Sequence, residues 1–207
     1  MKRFLRVSMA CFLLMVGTLA FAASEVAPLD IVRTTTDNVL ARVKTDKENL
    51  RADPGKMFDL VSELIFPHFD FAIMAQWVLG DSWAGADETT RTAFVDQFRK
   101  LLVRTYATAL LEFSDQTIGY PDADAAVAAK TATVKQEISA PGSASIPIVY
   151  RLHNKTGDWK VFDVSVDGVS LIKTYRASFA AAIKNDGLPA LIQSLETKNQ
   201  QFASKAQ

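Results

Sequence analysis

Between Asp87 and Phe113 the side chains of Phe94, Phe98, Leu101, Leu102, Tyr106, Ala109, Leu110 and Phe113 recur at spacings of four, three and one. That is one face of a helical repeat, with Asp96, Arg99, Lys100, Thr108 and Glu112 on the opposite face. Val95, Val103 and Leu111 widen the apolar face beyond an ordinary stripe. Upstream, apolar positions repeat more loosely from Leu29 to Leu50 through Ile31, Val32, Val39, Leu40 and Val43, interrupted by a polar stretch from Thr34 to Asn38. Asp53-Pro54-Gly55 ends that helix. A second helix from Lys56 to Ile65 stops before Pro67. A third is short: Asp70 offers a cap, Phe71, Met74, Trp77 and Val78 repeat at helical spacing, and Gly80 ends it.

Beyond Thr131 the period changes to two. Ala132, Val134 and Ile138 alternate with Thr131, Thr133, Lys135 and Glu137, and Ile146, Ile148, Tyr150 and Leu152 alternate next. After a turn at Asn154–Asp158, the run from Trp159 to Val166 places Phe162, Val164 and Val166 on one side and Trp159, Val161, Asp163 and Ser165 on the other. This predicts an antiparallel hairpin with a preceding partner strand, and Gln116 to Tyr120 is a candidate fourth. Asp167-Gly168 turns into a helix from Val169 to Asn185, capped by Gly187, and Pro189 starts a last helix through Leu195. The expected fold is α+β, a small twisted antiparallel sheet of about four strands wrapped by N- and C-terminal helices.

Composition changes the picture mainly at the N-terminus. Lys2, Arg3 and Arg6 precede an apolar run from Val7 to Phe21 that closes on Ala20-Phe21-Ala22, the pattern of a secretory signal cleaved after Ala22. The expectation is that residues 1–22 are a cleaved signal peptide and that 23–207 form a single domain. The 23 basic and 23 acidic side chains of the whole chain would then become 20 and 23, with no polybasic stretch. That disfavours nucleic acid as a partner. Cys11, the one cysteine, would leave with the signal, excluding disulfides and a thiolate site from the mature chain.

Candidate chemistry is sparse. His68 and His153 are the two histidines, and no metal-ligand spacing, nucleophile elbow or nucleotide loop accompanies them. No catalytic residue, metal or cofactor is therefore expected. Asp163 and Asp167 are the sharpest alternative, as the base of a cone-shaped isomerase or hydrolase acting on an apolar substrate. Large apolar side chains are abundant instead, with 13 Phe, 3 Trp and 4 Tyr. They allow a filled core or a hollow one, since periodicity selects the same residues for both.

The order of motifs resembles the MlaC (toluene-tolerance) family. The resemblance runs from Arg51-Ala52-Asp53-Pro54 through Phe69-Asp70-Phe71, Val78-Leu79-Gly80, Trp83, Arg91 and Thr105-Tyr106-Ala107 to Trp159-Lys160-Val161-Phe162-Asp163-Val164. Its most specific part is Asp167-Gly168-Val169-Ser170-Leu171 followed by Tyr175-Arg176 and Phe179. The resemblance implies a periplasmic phospholipid-binding protein that is not an enzyme, with the acyl chains of a glycerophospholipid in an apolar cavity. It implies shuttling between an outer-membrane lipoprotein–porin complex and an inner-membrane ABC transporter with an MCE-domain subunit, maintaining outer-membrane lipid asymmetry. Family members linked to hopanoid biosynthesis leave that lipid class open as cargo, and a monomer is expected. On this reading the lipid-binding residues are Met74, Val78, Phe94, Phe98, Leu101, Leu102, Tyr106 and Leu110 from the helices, and Phe162, Val164, Val166, Val169, Leu171, Ile172, Tyr175 and Phe179 from the sheet and final helix. The loops at Asp81–Asp87 and Pro121–Lys130 are the expected docking surfaces for partners.

Overall fold

The structure, a computed structural model, describes residues 26–112, 116–121, 126–155 and 157–204. The expected signal segment, Phe113 and the middle of the Pro121–Lys130 loop lie outside the described residues. The elements run α1 (Pro28–Ala52), α2 (Pro54–Leu64), a 3-10 turn (Phe66–His68), α3 (Phe71–Leu79), α4 (Asp81–Gly85) and α5 (Glu88–Leu111). Then come β1 (Thr117–Gly119), β2 (Ala126–Ala128), β3 (Thr131–Ser139), β4 (Ile146–His153), β5 (Lys160–Val166), β6 (Val169–Ser170) and α6 (Leu171–Ser204).

Acidic caps set the helix starts. The backbone N–H groups of Gly55, Ile73 and Thr90 donate to the carboxylates of Asp53, Asp70 and Asp87 at 2.8, 2.9 and 2.7 Å. The expected loop after Gly80 is instead the short helix α4. Its end is satisfied from α5: the Arg91 guanidinium donates to the Trp83 carbonyl at 3.0 Å and lies 5.2 Å over the Trp83 ring. The break expected at Gly187 is present, with φ 82 inside α6, and the segment after it continues to Ser204 rather than stopping at Leu195.

The sheet is antiparallel throughout, in the order β1–β3–β4–β5–β6, with β2 also pairing β3. β1 pairs with the C-terminal end of β3 and β2 with its N-terminal end, so together they form an interrupted edge. Two strands beyond the expected four, β2 and β6, span only three and two residues, too few to leave a periodic signal. Register between β3 and β4 pairs Ala132 with Leu152, Val134 with Tyr150, Gln136 with Ile148 and Ile138 with Ile146.

One register shift changes which side chains face inward. Arg151 pairs with Asp163 while Leu152 pairs with Val161, so Phe162 is the extra residue of a β-bulge. The expected alternation of Phe162 with Val164 and Val166 is therefore corrected. Val161 joins Val164 in the sheet's core cluster. Phe162 turns to the other side, against Trp77 at 6.3 Å, with the Arg151 guanidinium 4.8 Å from its ring. Asp163 is on that side too, buried, where its carboxylate accepts from the Ser170 hydroxyl at 2.8 Å and the Ile172 N–H at 3.3 Å. Arg151 completes the group at 3.6 Å. Asp163 thus ties β5 to the start of α6.

Among the described residues three apolar cores result. The largest joins α3, the first half of α5 and α6 around Phe94, Phe98 and Phe179. A second joins the start of α1 to the sheet through Val32, Val134, Leu152 and Val161. The third joins α1, α2 and α5 through Val43, Met57 and Leu60.

Two substitutions test these packing assignments in urea denaturation. Phe98 is fully buried between Phe94, Phe179 and Tyr175, so Phe98→Ala is expected to cost about 3–5 kcal/mol. Asp163→Ala leaves the Ser170 hydroxyl and the Ile172 N–H without their acceptor and is expected to cost about 2–4 kcal/mol. A loss below about 1 kcal/mol would contradict the burial of either group.

Candidate functional site

The face of α1 that carries Ile31, Val32, Val39 and Leu40 looks across at the inward face of the sheet, and beyond the contact that Val32 makes with the sheet the space between is open. It is a cavity of about 720 Å³, a size typical of small-molecule sites. Thr35 and Thr36 of α1 contribute to the same wall. Ile65, His68 and Phe69 come from the corner between α2 and α3, and Tyr106, Ala109 and Leu110 from the end of α5. The sheet adds Ile118, Gln136, Ile138, Ile146, Ile148, Tyr150, Val161, Val166 and Val169, and α6 adds Leu171 and Thr174. Glu112, Gln116, Ala140, Ser143 and Ala144 complete the lining.

A second volume of about 230 Å³ borders the first and shares eight of its lining residues. Its own wall adds Val61, Phe66, Phe71, Met74, Leu102, Val103, Ala107 and Val164. Tyr106, Ile146, Val166 and Val169 are between 37% and 60% exposed. Large side chains left this open on a cavity wall face solvent space that a ligand could fill.

Polar groups are few and mostly occupied with one another. Gln136 is buried; its Nε2 donates to Thr36 Oγ1 and Tyr120 Oη, both at 3.0 Å, and its Oε1 accepts from Tyr150 Oη at 3.0 Å. The Arg33 guanidinium lies 5.0 Å over the Tyr120 ring. Burial raises the Tyr150 hydroxyl pKa, with Tyr120 adding to the effect. Burial, reinforced by Tyr175, pushes Tyr106 up to about 12. His68 is lowered, first by burial and then by the Lys160 charge, which favours the neutral imidazole. Among the described residues no Lys or Arg lines the cavity, and Glu112 is the carboxylate in its wall. Such a wall suits alkyl chains and offers no clamp for an anion.

The sixteen residues expected from sequence divide evenly. Met74, Leu102, Tyr106, Leu110, Val164, Val166, Val169 and Leu171 line one or both volumes. Val78, Phe94, Phe98, Leu101, Phe162, Ile172, Tyr175 and Phe179 do not; they belong to the filled core of α3, α5 and α6. The reason is the length of α5. At 24 residues it spans about 36 Å, and its single apolar stripe packs on α3 and α6 over the first half, leaving only the second half above the cavity. Phe162 is removed by the bulge.

Sequence reasoning missed the contribution of α1 and of β3 and β4. A signal existed: Gln136 is polar at an inward position of β3, and Thr35 and Thr36 interrupt the apolar face of α1. The structure brings Gln136 and Thr36 into contact.

The residues of the catalytic alternative lie elsewhere. Asp163 is on the face of β5 turned from the cavity, its oxygens occupied by Ser170 and Ile172, and Asp167 is in the exposed β5–β6 turn. His153 is buried outside the cavity wall, with Nε2 3.0 Å from Asp70 Oδ2 and Nδ1 accepting from the Lys155 N–H. No helix among the described residues is long and apolar enough to cross a membrane.

Comparison with known proteins agrees with this geometry. A structure of a phospholipid-binding protein from Ralstonia solanacearum, in complex with a phospholipid, superposes with a TM-score of 0.78 at 33% identity, over 86% of this chain and 99% of that one. The chain is 30% identical to the toluene tolerance protein ttg2D of Pseudomonas putida, over 77% of this chain and 74% of that protein. It is 25% identical to the intermembrane phospholipid transport system binding protein MlaC of Haemophilus influenzae, over 89% and 86% of the two lengths. The family model described as MlaC protein matches residues 33–197, nearly the whole span from α1 to α6, and on that match and these identities the chain belongs to the MlaC family.

Proposed function

We propose that this protein is a non-enzymatic periplasmic carrier of glycerophospholipid, exported by the signal at residues 1–22 and working as the domain 23–207, with no cofactor. The observation that carries the reading is the cavity of about 720 Å³ between α1, α5 and the sheet, walled mainly by apolar side chains and with no Lys or Arg among the described residues that line it. The phospholipid in the related Ralstonia structure supports the same cargo here.

The energetics explain why such a carrier is needed. Each methylene exposed to water costs about 0.8 kcal/mol, so an acyl chain of about fifteen costs roughly 12 kcal/mol in an aqueous compartment, and two chains cost twice that. A wall that matches the bilayer interior removes this barrier without binding the lipid beyond recovery. The name of the Haemophilus relative supports a place in intermembrane phospholipid transport. Cargo then passes between an outer-membrane lipoprotein–porin complex and an inner-membrane ABC transporter with an MCE-domain subunit, which maintains outer-membrane asymmetry. ATP hydrolysis falls to the transporter.

Protein purified without detergent is expected to carry phospholipid detectable by extraction and mass spectrometry, and to move labelled phospholipid between two vesicle populations. Lipid-free protein that takes up none from vesicles would overturn the reading. Ile138 lines the cavity, and Ile138→Trp is expected to lower bound lipid about tenfold while the fold is retained. Saturation at about a hundred times the dissociation constant adds about 2.7 kcal/mol to stability. Calorimetry should therefore find lipid-loaded protein melting roughly 5–10 °C above the stripped form.

A further inference from the structure

We propose that His153 is a positioning residue for cargo exchange: bonded to Asp70, it latches the corner between α2 and α3 to the end of the sheet, and this latch sets how fast lipid enters and leaves. The proposal rests on the carrier reading above. Corner and sheet meet along a seam in the cavity wall. Phe69 on one side and Val161 on the other both line the cavity, pair in an isolated parallel bridge and belong to one apolar cluster. Three described hydrogen bonds cross the seam. The Asp70 N–H donates to the Val161 carbonyl at 2.9 Å, Lys160 Nζ donates to the Pro67 carbonyl at 2.6 Å, and His153 Nε2 lies 3.0 Å from Asp70 Oδ2. By contrast, β4 pairs with β3 along its whole length. A wall joined at few points parts there before it parts within the sheet.

The pair can open without unfolding either element. His153 is 3% exposed, and its Nδ1 accepts from the Lys155 N–H, so the ring proton sits on Nε2 and is donated to Asp70. A bond to a carboxylate is stronger than one between neutral groups, and this one is buried on the histidine side, whereas the Lys160 contact is exposed. Each partner also keeps a contact on its own side. The other carboxylate oxygen of Asp70 accepts from the Ile73 N–H at 2.9 Å as the cap of α3, and His153 stays on Lys155 at the end of β4. When the bond between them breaks, both of these remain. The Asp70 side chain is 23% exposed, so water can replace the imidazole on its carboxylate. Parting there separates Phe69 from Val161 and opens the wall onto the cargo. One opening serves entry and exit alike, so weakening the latch speeds both and leaves the amount bound at equilibrium nearly unchanged.

Asp70→Asn separates the latch from the cap. Asn caps a helix as well as Asp does, but it removes the charge that the His153 proton meets. His153→Leu removes the donor, and His153→Gln restores one at similar reach. Mature full-length protein loaded with a fluorescent phosphatidylglycerol is mixed with phosphatidylcholine vesicles, and release is followed by stopped flow. Asp70→Asn and His153→Leu are expected to release about tenfold faster than wild type, with lipid content after purification within about twofold and His153→Gln close to wild type. In Asp70→Asn, amide hydrogen exchange should quicken at position 70, whose N–H crosses the seam, and stay slow at Ile73, whose N–H is held by the cap. Should His153→Leu not fold, Asp70→Asn breaks the same bond and carries the test. Folded variants that release at the wild-type rate, or release and lipid content that fall together, overturn the latch while the carrier reading stands. Wild-type protein that neither holds nor releases phospholipid overturns the carrier reading itself.

Discussion

Large apolar side chains facing unfilled space are unstable toward collapse, because helices on either side gain contact and lose hydrated surface by sinking together. Everything else in this fold answers that constraint. The start of α1 is held to the sheet by Val32 packing with Val134, Leu152 and Val161, and by the hydrogen bond from Gln136 to Thr36. The end of α1 is held to α2 and α5 by a separate core around Val43, Met57 and Leu60. The corner before α3 is fixed to β5, where the Asp70 N–H donates to the Val161 carbonyl at 2.9 Å. Some of these anchors belong to the walls themselves: Val32, Thr36, Gln136 and Val161 line the cavity and also join α1 to the sheet, so the walls meet there and the remaining space stays open.

The same anchoring explains how much of the molecule could be read from its residues. Helix limits were legible because they depend on local chemistry: the cap carboxylates of Asp53 and Asp70, and the positive φ of Gly187. The inward faces of β3 and β4 were legible because their register is regular. Phe162 was not, because a bulge resets the alternation and leaves no mark in a run already rich in apolar residues. Phe94 and Phe98 were assigned to the cavity for a different reason. They share a helical stripe with Tyr106 and Leu110, and only tertiary packing decides which part of a long stripe meets a neighbour and which part meets a void. The informative anomaly was polar: Gln136 on an inward strand position and Thr36 on an inward helix face are unsatisfied alone and satisfied together.

That polar pair also bears on how cargo is held. Hydrogen bonding inside a lipid cavity would normally compete with release, since each bond to a ligand must be broken at hand-off. Here Gln136 directs both amide protons at the protein and receives the Tyr150 proton. Its strongest directional interactions are therefore internal, and what remains toward the cavity is mainly dispersion and the exclusion of water. Those forces resemble the ones a bilayer supplies, so for the proposed carrier the difference between protein and membrane stays small in either direction.

The charge pattern completes the argument. An arginine fork on a phosphate would raise affinity and residence time together, because charge-assisted bonds in a low-dielectric site are slow to break. Among the described residues the cavity has no such fork: its arginine neighbour, Arg33, is stacked on Tyr120, and Arg151 is committed to Asp163 and Phe162 on the other face of the sheet. With cations placed where they stabilise the walls and not the cargo, headgroup reading is left weak and selection falls to the shape of the apolar space. For the carrier role proposed above that division is an advantage, since shape can be altered by a docking partner whereas a buried ion pair would have to be broken.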